Sequence, residues 1–462
     1  MAGYTSLDSL RGAWNEVGTI TSDGKVTIND GDKLRGAVID DLVWTSAFGD
    51  DAGLRDAARW LIRAAAMATG NGPASIHDLY MAYGQGKTGN FTVPAINIRG
   101  LTYDVARSVF RAAAKGKTGP VVFEIARSEV GYTNQRPAEY AASVLAAAIK
   151  EDWKAPVFIQ GDHFQVNASK FRADRKAEVG AVKDLISEAL DAAFYQIDVD
   201  TSTLVTLEPE SLDEQQKDNY EVCAELTEYI RAREPAGVTV SVGGEIGEVG
   251  LKNSTVPELE AFMDGYLKTL SAGTTGISKI SVQTGTSHGG VPLPDGTVAD
   301  VKVDFETLRD LSEVSRKKYS MGGAVQHGAS TLPDELFDKF PAMGTLEIHL
   351  ATGFQNIIYD HPKCPADLRD KVYAHLREAC AGEKKEGQTD EQFIYKTRKK
   401  GFGPFKKEWW NLPDDVKAPI MDVLEEKFAF LFDKLEATDT AKYVAEYVTT
   451  TEVWPEVPAE LK

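Results

Sequence analysis

Cysteine is scarce in this chain: Cys223, Cys364 and Cys380 are the only ones among 462 residues, and no two form a C-x-x-C pair. That scarcity argues against a disulfide framework and against a thiolate metal site. Long apolar runs are missing too, since none reaches the roughly 18 uninterrupted residues that a membrane span needs. The N-terminal stretch MAGYTSLDSLRGAWNEVGT has no basic segment followed by an apolar one, so it does not read as a secretory signal. Basic residues are in deficit, with 51 Lys and Arg against 70 Asp and Glu and a formal net charge of −19. A field of that sign repels nucleic acid and anionic lipid, which sets both aside as partners. On these absences the chain reads as cytoplasmic.

What is present begins with order along the chain. Short β-branched runs recur at 91–98, 120–126, 156–163, 193–200, 238–247, 277–289, 322–330 and 344–353. Between them lie segments such as YDVARSVFRAAAKG and ELEAFMDGYLKTL, whose apolar residues return every three or four positions as a surface helix requires. Strands that are apolar throughout and alternate with helices predict a parallel sheet, and their number predicts closure into an α/β TIM (β/α)8 barrel. An open doubly wound sheet is the competing arrangement. It usually carries a glycine fingerprint after its first strand, and INIRGLTYD has no G-x-G-x-x-G.

The barrel is expected over 86–360. Residues 1–85 form an N-terminal extension with a hairpin in GTITSDGKVTIND, turning at Asp23-Gly24, and an Ala-rich helix ended by Gly70-Asn71-Gly72-Pro73. Residues 361–462 are expected to be a helical segment that serves packing or oligomerisation. Its Trp409, Trp410 and Phe428–Phe432 call for a buried face, against this chain's barrel or against a second subunit.

The chain has only seven histidines. Four of them, His163, His288, His327 and His349, fall at or near the C-terminal ends of predicted strands three, six, seven and eight. Strand ends of a barrel converge on one mouth, where such enzymes place their active sites. A single histidine there is as readily a buried, hydrogen-bonded ring. Several imidazoles from separate strands, each beside glycine or a carboxylate, are instead a means of holding a divalent ion with a coordination position left open. Asp162 directly precedes His163. Neighbouring strand residues point to opposite faces, so both serve one site only where the pleat relaxes. Asp162 then reads as a proton-transfer group or as a partner orienting a ligand imidazole. Glu245, ending strand five in GGEIG, reads as a hard oxygen ligand.

The succession TVPAINI, GDH, GGEIG, GTSHG and QHGAS, in this order and on these strands, resembles the class II fructose-bisphosphate aldolases over about residues 90–355. The resemblance implies a TIM barrel, usually a homodimer or larger homo-oligomer. It also implies a divalent metal, zinc foremost with manganese, cobalt or iron as alternatives, that polarises a ketose carbonyl and stabilises the enediolate left by carbon–carbon cleavage. It would make His163, His288 and His327 the metal ligands, Glu245 the ligand of a second metal position, and Asp162 the acid/base at the hydroxyl that becomes the aldehyde. Asn97 would line the substrate pocket, and Gly289, Gly328 and Ser330 would meet the phosphate of a sugar phosphate.

The chain also departs from that pattern. In the loop after strand five, GEVGLKNSTVPE leaves Glu248 as the nearest carboxylate and puts Lys252 where an acid is expected. After strand eight, where the family reads Asn-x-Asp-Thr-Asp, stand Glu347 and His349, and a glutamate is unfavourable beside phosphate. Arg127, Lys252 and Lys279 are the candidate counter-charges. The leading expectation is a metal-dependent aldolase acting on fructose 1,6-bisphosphate. The alternatives are a metal-dependent sugar or sugar-acid epimerase or isomerase with Glu347 and His349 as acid and base, or a non-catalytic aldolase-like subunit.

Overall fold

The computed structural model describes residues 2–247, 252–286, 290, 293 and 302–462. Eight parallel strands close into a barrel: β1 Val93–Asn97, β2 Val122–Ala126, β3 Phe158–Gln165, β4 Gln196–Asp200, β5 Ser241–Glu245, β6 Lys279–Val282, β7 Gly323–Gln326 and β8 Glu347–Leu350. Each strand pairs with the next in sequence, and β8 returns to β1 through Glu347↔Val93 and His349↔Ala95. Helices including Thr102–Gly116, Pro137–Lys150, Arg175–Asp191, Leu212–Arg231, Val256–Thr269 and Phe305–Tyr319 form the outer ring. The expected TIM barrel is therefore the observed fold. Most strands are shorter than the apolar runs that announced them, while β3 is as long as its run and shifted two residues toward the mouth.

A short helix, His77–Gly84, closes the N-terminal end of the barrel. Its Tyr80 is fully buried among Val93, Ala95, Val122 and Phe158, which lie at the beginnings of β1, β2 and β3. The Tyr80 hydroxyl donates to Glu347 inside the barrel. Glycine allows this close approach, since a Cβ on Gly84 would stand 2.1 Å from the Met321 carbonyl oxygen.

The N-terminal segment forms the expected hairpin, with Gly18–Ile20 antiparallel to Val26–Ile28. Its turn runs through Thr21–Lys25 with Gly24 at a positive φ. The Ala-rich helix spans Ala52–Thr69, is capped by the Asp51 side chain, and stops at Gly70 in the left-handed conformation.

The C-terminal aromatics bury against this chain itself. Phe428 and Trp409 are fully covered, the Phe428 ring lies 4.8 Å from that of Phe354, and Trp410 meets Phe48 at 5.3 Å. Helix Asp414–Lys434 packs along Thr102–Gly116, and the Thr92 amide just ahead of β1 donates to the Leu435 carbonyl at 2.9 Å. No helix among the described residues is long and apolar enough to cross a membrane.

Candidate functional site

Inside the barrel the strands carry charge where apolar side chains would ordinarily meet. Glu124, Gln160, Asp198, Lys279 and Glu347 are all buried. Lys279 Nζ reaches Gln160 Oε1 at 2.7 Å, Asp198 Oδ1 at 2.9 Å and Glu347 Oε1 at 2.5 Å. Gly243 makes room for this group, since a Cβ there would stand 2.4 Å from Asp198 Oδ1 and 3.0 Å from Lys279 Cε. The first glycine of GGEIG is thus a requirement of the buried ion pair. Glu347 and His349, two apart on β8, face inward together, and His349 Nε2 meets Glu347 Oε1 at 2.6 Å.

Above this layer, at the C-terminal mouth, Asp162 and His163 share one site. The register of β3 against β4 shifts between Gly161 and Phe164, and His163 has φ +39°. This bulge turns His163 to the same side as Asp162, which a regular pleat would prevent. Gly161 permits it, because a Cβ there would stand 2.4 Å from the Phe164 ring. The glycine, the aspartate and the histidine of GDH are one device.

Around them the donors converge. His163 Nδ1 lies 2.9 Å from Asp200 Oδ2 and 3.3 Å from Glu245 Oε2, and His327 Nδ1 lies 3.8 Å from the same Glu245 oxygen. Asp162 Oδ1 is 3.9 Å from His163 Nε2, 3.8 Å from His327 Nε2 and 3.2 Å from His349 Nδ1. Two overlapping groups have the composition of a metal site: His163, Glu245 and His327, and, deeper, Asp162, Asp198, His327 and His349. In each, the donor atoms lie within 4.8 Å of one another.

The electrostatics fit a cation. Burial, reinforced by Asp200, pushes the Glu245 carboxyl up to about 7, and burial with Asp162 does the same to Glu124. Against burial, Asp162 and Glu245 hold the His163 imidazole well above its ordinary range. So many carboxylates gathered around Lys279 as their ammonium favour any positive charge that enters. A hard divalent ion held by imidazole and carboxylate suits this donor set.

The mouth opens into a cavity of about 420 Å³. Asn97, Asp162, His163, His327, Gly328, Ser330 and His349 line it, as does Arg127. His288, Gly289 and Glu248 lie outside the described residues. Two expected substrate contacts are placed elsewhere. Glu347 is not in the cavity wall but sealed beneath it with Lys279, so it neither repels a phosphate there nor forms an acid/base pair with His349 at the substrate. Lys252 turns outward onto Glu258, at 2.5 Å, where that glutamate caps its helix. Lys279 is spent on the interior, and Arg127 is already paired with Glu178 at 2.6 Å.

The structure adds residues that pattern reading missed. Asp198 and Asp200, two apart in QIDVD, and Glu124 were legible as charges on one face of strands that should be apolar throughout. Arg99 and Lys399, both on the cavity wall, had no such signal, because Arg99 resembles any cation after a strand and Lys399 stands in a basic run beside Arg398 and Lys400.

A family profile described as "Fructose-bisphosphate aldolase class-II" matches residues 79–399. No curated protein matches the chain. Among solved structures, a glycerol complex of the fructuronate-tagaturonate epimerase UxaE from Cohnella laeviribosi superposes with a TM-score of 0.57 at 13% identity, covering 92% of this chain and 90% of that one. A probable tagatose 6 phosphate kinase from Sinorhizobium meliloti 1021 superposes at 0.52 with 14% identity, covering 77% and 100%. At these identities the likeness is one of fold.

Proposed function

Since the chain belongs to the class II fructose-bisphosphate aldolase family, we propose that its barrel mouth carries out metal-assisted aldol cleavage, and the reverse addition, on a ketose bearing an anionic group. The observation that carries this reading is the β3 bulge, which brings Asp162 and His163 to one side beside His327 and Glu245. His163, His327 and Glu245, joined by His288, would hold the ion. A divalent metal there supplies Lewis-acid polarisation of the substrate carbonyl. Asp162 accepts the proton from the hydroxyl of the carbon that becomes the aldehyde. The bond from that carbon to its neighbour breaks, and the electron pair moves toward the carbonyl. His349, 3.2 Å from Asp162, orients that carboxylate. Asn97, Gly328 and Ser330 line the volume in which the substrate lies.

Epimerisation is the second reading, favoured by the likeness to the epimerase over the terminal segments as well as the barrel. Its first step is the same bond cleavage if the aldehyde turns within the cavity and is added back on its other face. The two readings differ in product. With fructose 1,6-bisphosphate or a keto-sugar acid as substrate, cleavage yields two shorter molecules, whereas epimerisation conserves the carbon count. The deciding experiment follows both products by NMR, before and after chelation and with zinc, cobalt, manganese or iron restored. A metal-loaded protein that turns over neither substrate overturns both readings. A homo-oligomer and a cytoplasmic setting remain part of the proposal, and light scattering tests the first.

A further inference from the structure

The cavity wall carries cations as well as carboxylates. Its floor is the carboxylate-rich donor cluster; on its wall stand Arg99, which follows β1, and Lys399, which comes from the segment beyond the barrel. Arg99 is oriented from below, with Nε donating to Glu129 at 2.7 Å and Nη1 donating to Gln355 at 3.0 Å. Its Nη2 has no hydrogen bond among the described residues. Lys399 forms no hydrogen bond or ion pair among them either, and its ammonium lies 5.7 Å from the centre of the Tyr132 ring. Its neighbour Arg398 is anchored to Asp360 at 2.6 Å.

The segment bearing Lys399 is docked closely onto the mouth. A Cβ on Gly100 would stand 2.1 Å from the Phe402 ring, and one on Gly403 would stand 2.1 Å from the Tyr132 carbonyl oxygen. A Cβ on Gly401 would meet Val372 at 2.3 Å. These contacts fix the backbone on both sides of the lysine, so little freedom is lost when a ligand meets it. Lys399 is half-buried, and no carboxylate among the described residues is within ion-pair distance of its ammonium, so an entering anion meets a charge that is not already neutralised by contact.

We infer that Lys399 and Arg99 together bind a terminal oxyanion of the substrate, a phosphate or a carboxylate, within the cavity whose wall they share with the donor cluster. The inference rests on the proposed function and deepens it by assigning the residues that meet the anionic group of the ketose. Lys399 is a specificity-determining residue in this reading. The aldol step does not depend on it.

The test uses the full-length protein and direct binding, so that it does not depend on turnover. Inorganic phosphate and glucuronate are titrated calorimetrically into the unsubstituted protein and into Lys399→Ala, Lys399→Arg and Lys400→Ala, with thermal melting as the check on folding. Lys400 is a neighbouring lysine paired with Glu383 at 2.6 Å, and is the control. The expected result is saturable binding of at least one ion, weakened about tenfold or more by Lys399→Ala, largely kept by Lys399→Arg, and unchanged by Lys400→Ala. The tighter ion identifies phosphate or carboxylate. Binding of neither ion to the unsubstituted protein, or equal binding by Lys399→Ala, overturns the inference. Intact, Lys399-dependent binding in a protein without aldol activity supports it while the reaction assignment fails.

Discussion

At the scale of single residues, the interior depends on Lys279. Removing it by Lys279→Met leaves Asp198 and Glu347 buried without their ammonium, and breaking a buried pair from one side costs about 3–5 kcal/mol. Chemical denaturation should show a loss of that order. Asp162→Asn leaves the cavity's shape intact but removes the proton acceptor, so kcat should fall about 10²- to 10⁴-fold with the metal content unchanged by elemental analysis. Lys399 gives a pH signature. Burial first, then Arg99 and Lys400, lower its ammonium to about 8, against the opposing pull of Glu129 and Glu383. The charged form is the one below that value. Affinity for an anion whose own charge is constant there, such as glucuronate, should therefore be full below about pH 8 and fall as the pH rises through it, measured as its dissociation constant.

At the scale of elements, the barrel was legible because eight apolar runs alternated with amphipathic ones, a pattern that long-range packing leaves intact. The site was legible to the extent that it lies on strand ends. Asp162, His163, His327 and Glu245 were all named from their strand positions, and the structure brings them within a few ångströms of one another. What could not be read was the conformation that joins Asp162 to His163, because a bulge leaves no period in the sequence. Glu347 illustrates the opposite difficulty. Its position on β8 was clear, but its depth was set by Lys279 from β6 and Tyr80 from the closing helix, and neither pairing is encoded locally. The bulge itself is testable. Gly161→Ala puts a Cβ into the Phe164 ring, and the strand must give way. Zinc affinity should drop markedly in Gly161→Ala while the far-ultraviolet circular dichroism keeps its α/β form.

At the scale of the whole molecule, the terminal segments are part of the barrel's cover. The Trp44, Phe48 and Trp410 rings interlock across the N- and C-terminal regions, at 4.4 Å for the first pair and 5.3 Å for the second with the third. Phe428, Leu431 and Phe432 on Asp414–Lys434 are buried. A chain ending before Asp414 exposes the apolar face of helix Thr102–Gly116, and burial of that size is a large share of a domain's net stability. Such a truncation is expected to be insoluble or to melt far below the full chain in calorimetry. The excess of acidic residues, −19 in formal charge, repels other polyanions. Arg99 and Lys399 stand as a local exception to that field.

The hydrogen bond from Thr92 to Leu435 joins the threshold of the first barrel strand to the end of helix Asp414–Lys434. On the ribosome Leu435 is made long after Thr92. The first strand is made early, yet its final partner emerges only after every other strand, so the nascent barrel spends that interval with an outer face uncovered. Contacts of such separation slow folding and leave it dependent on protection. The covering of the first strand's outer side therefore waits on the segment around Leu435.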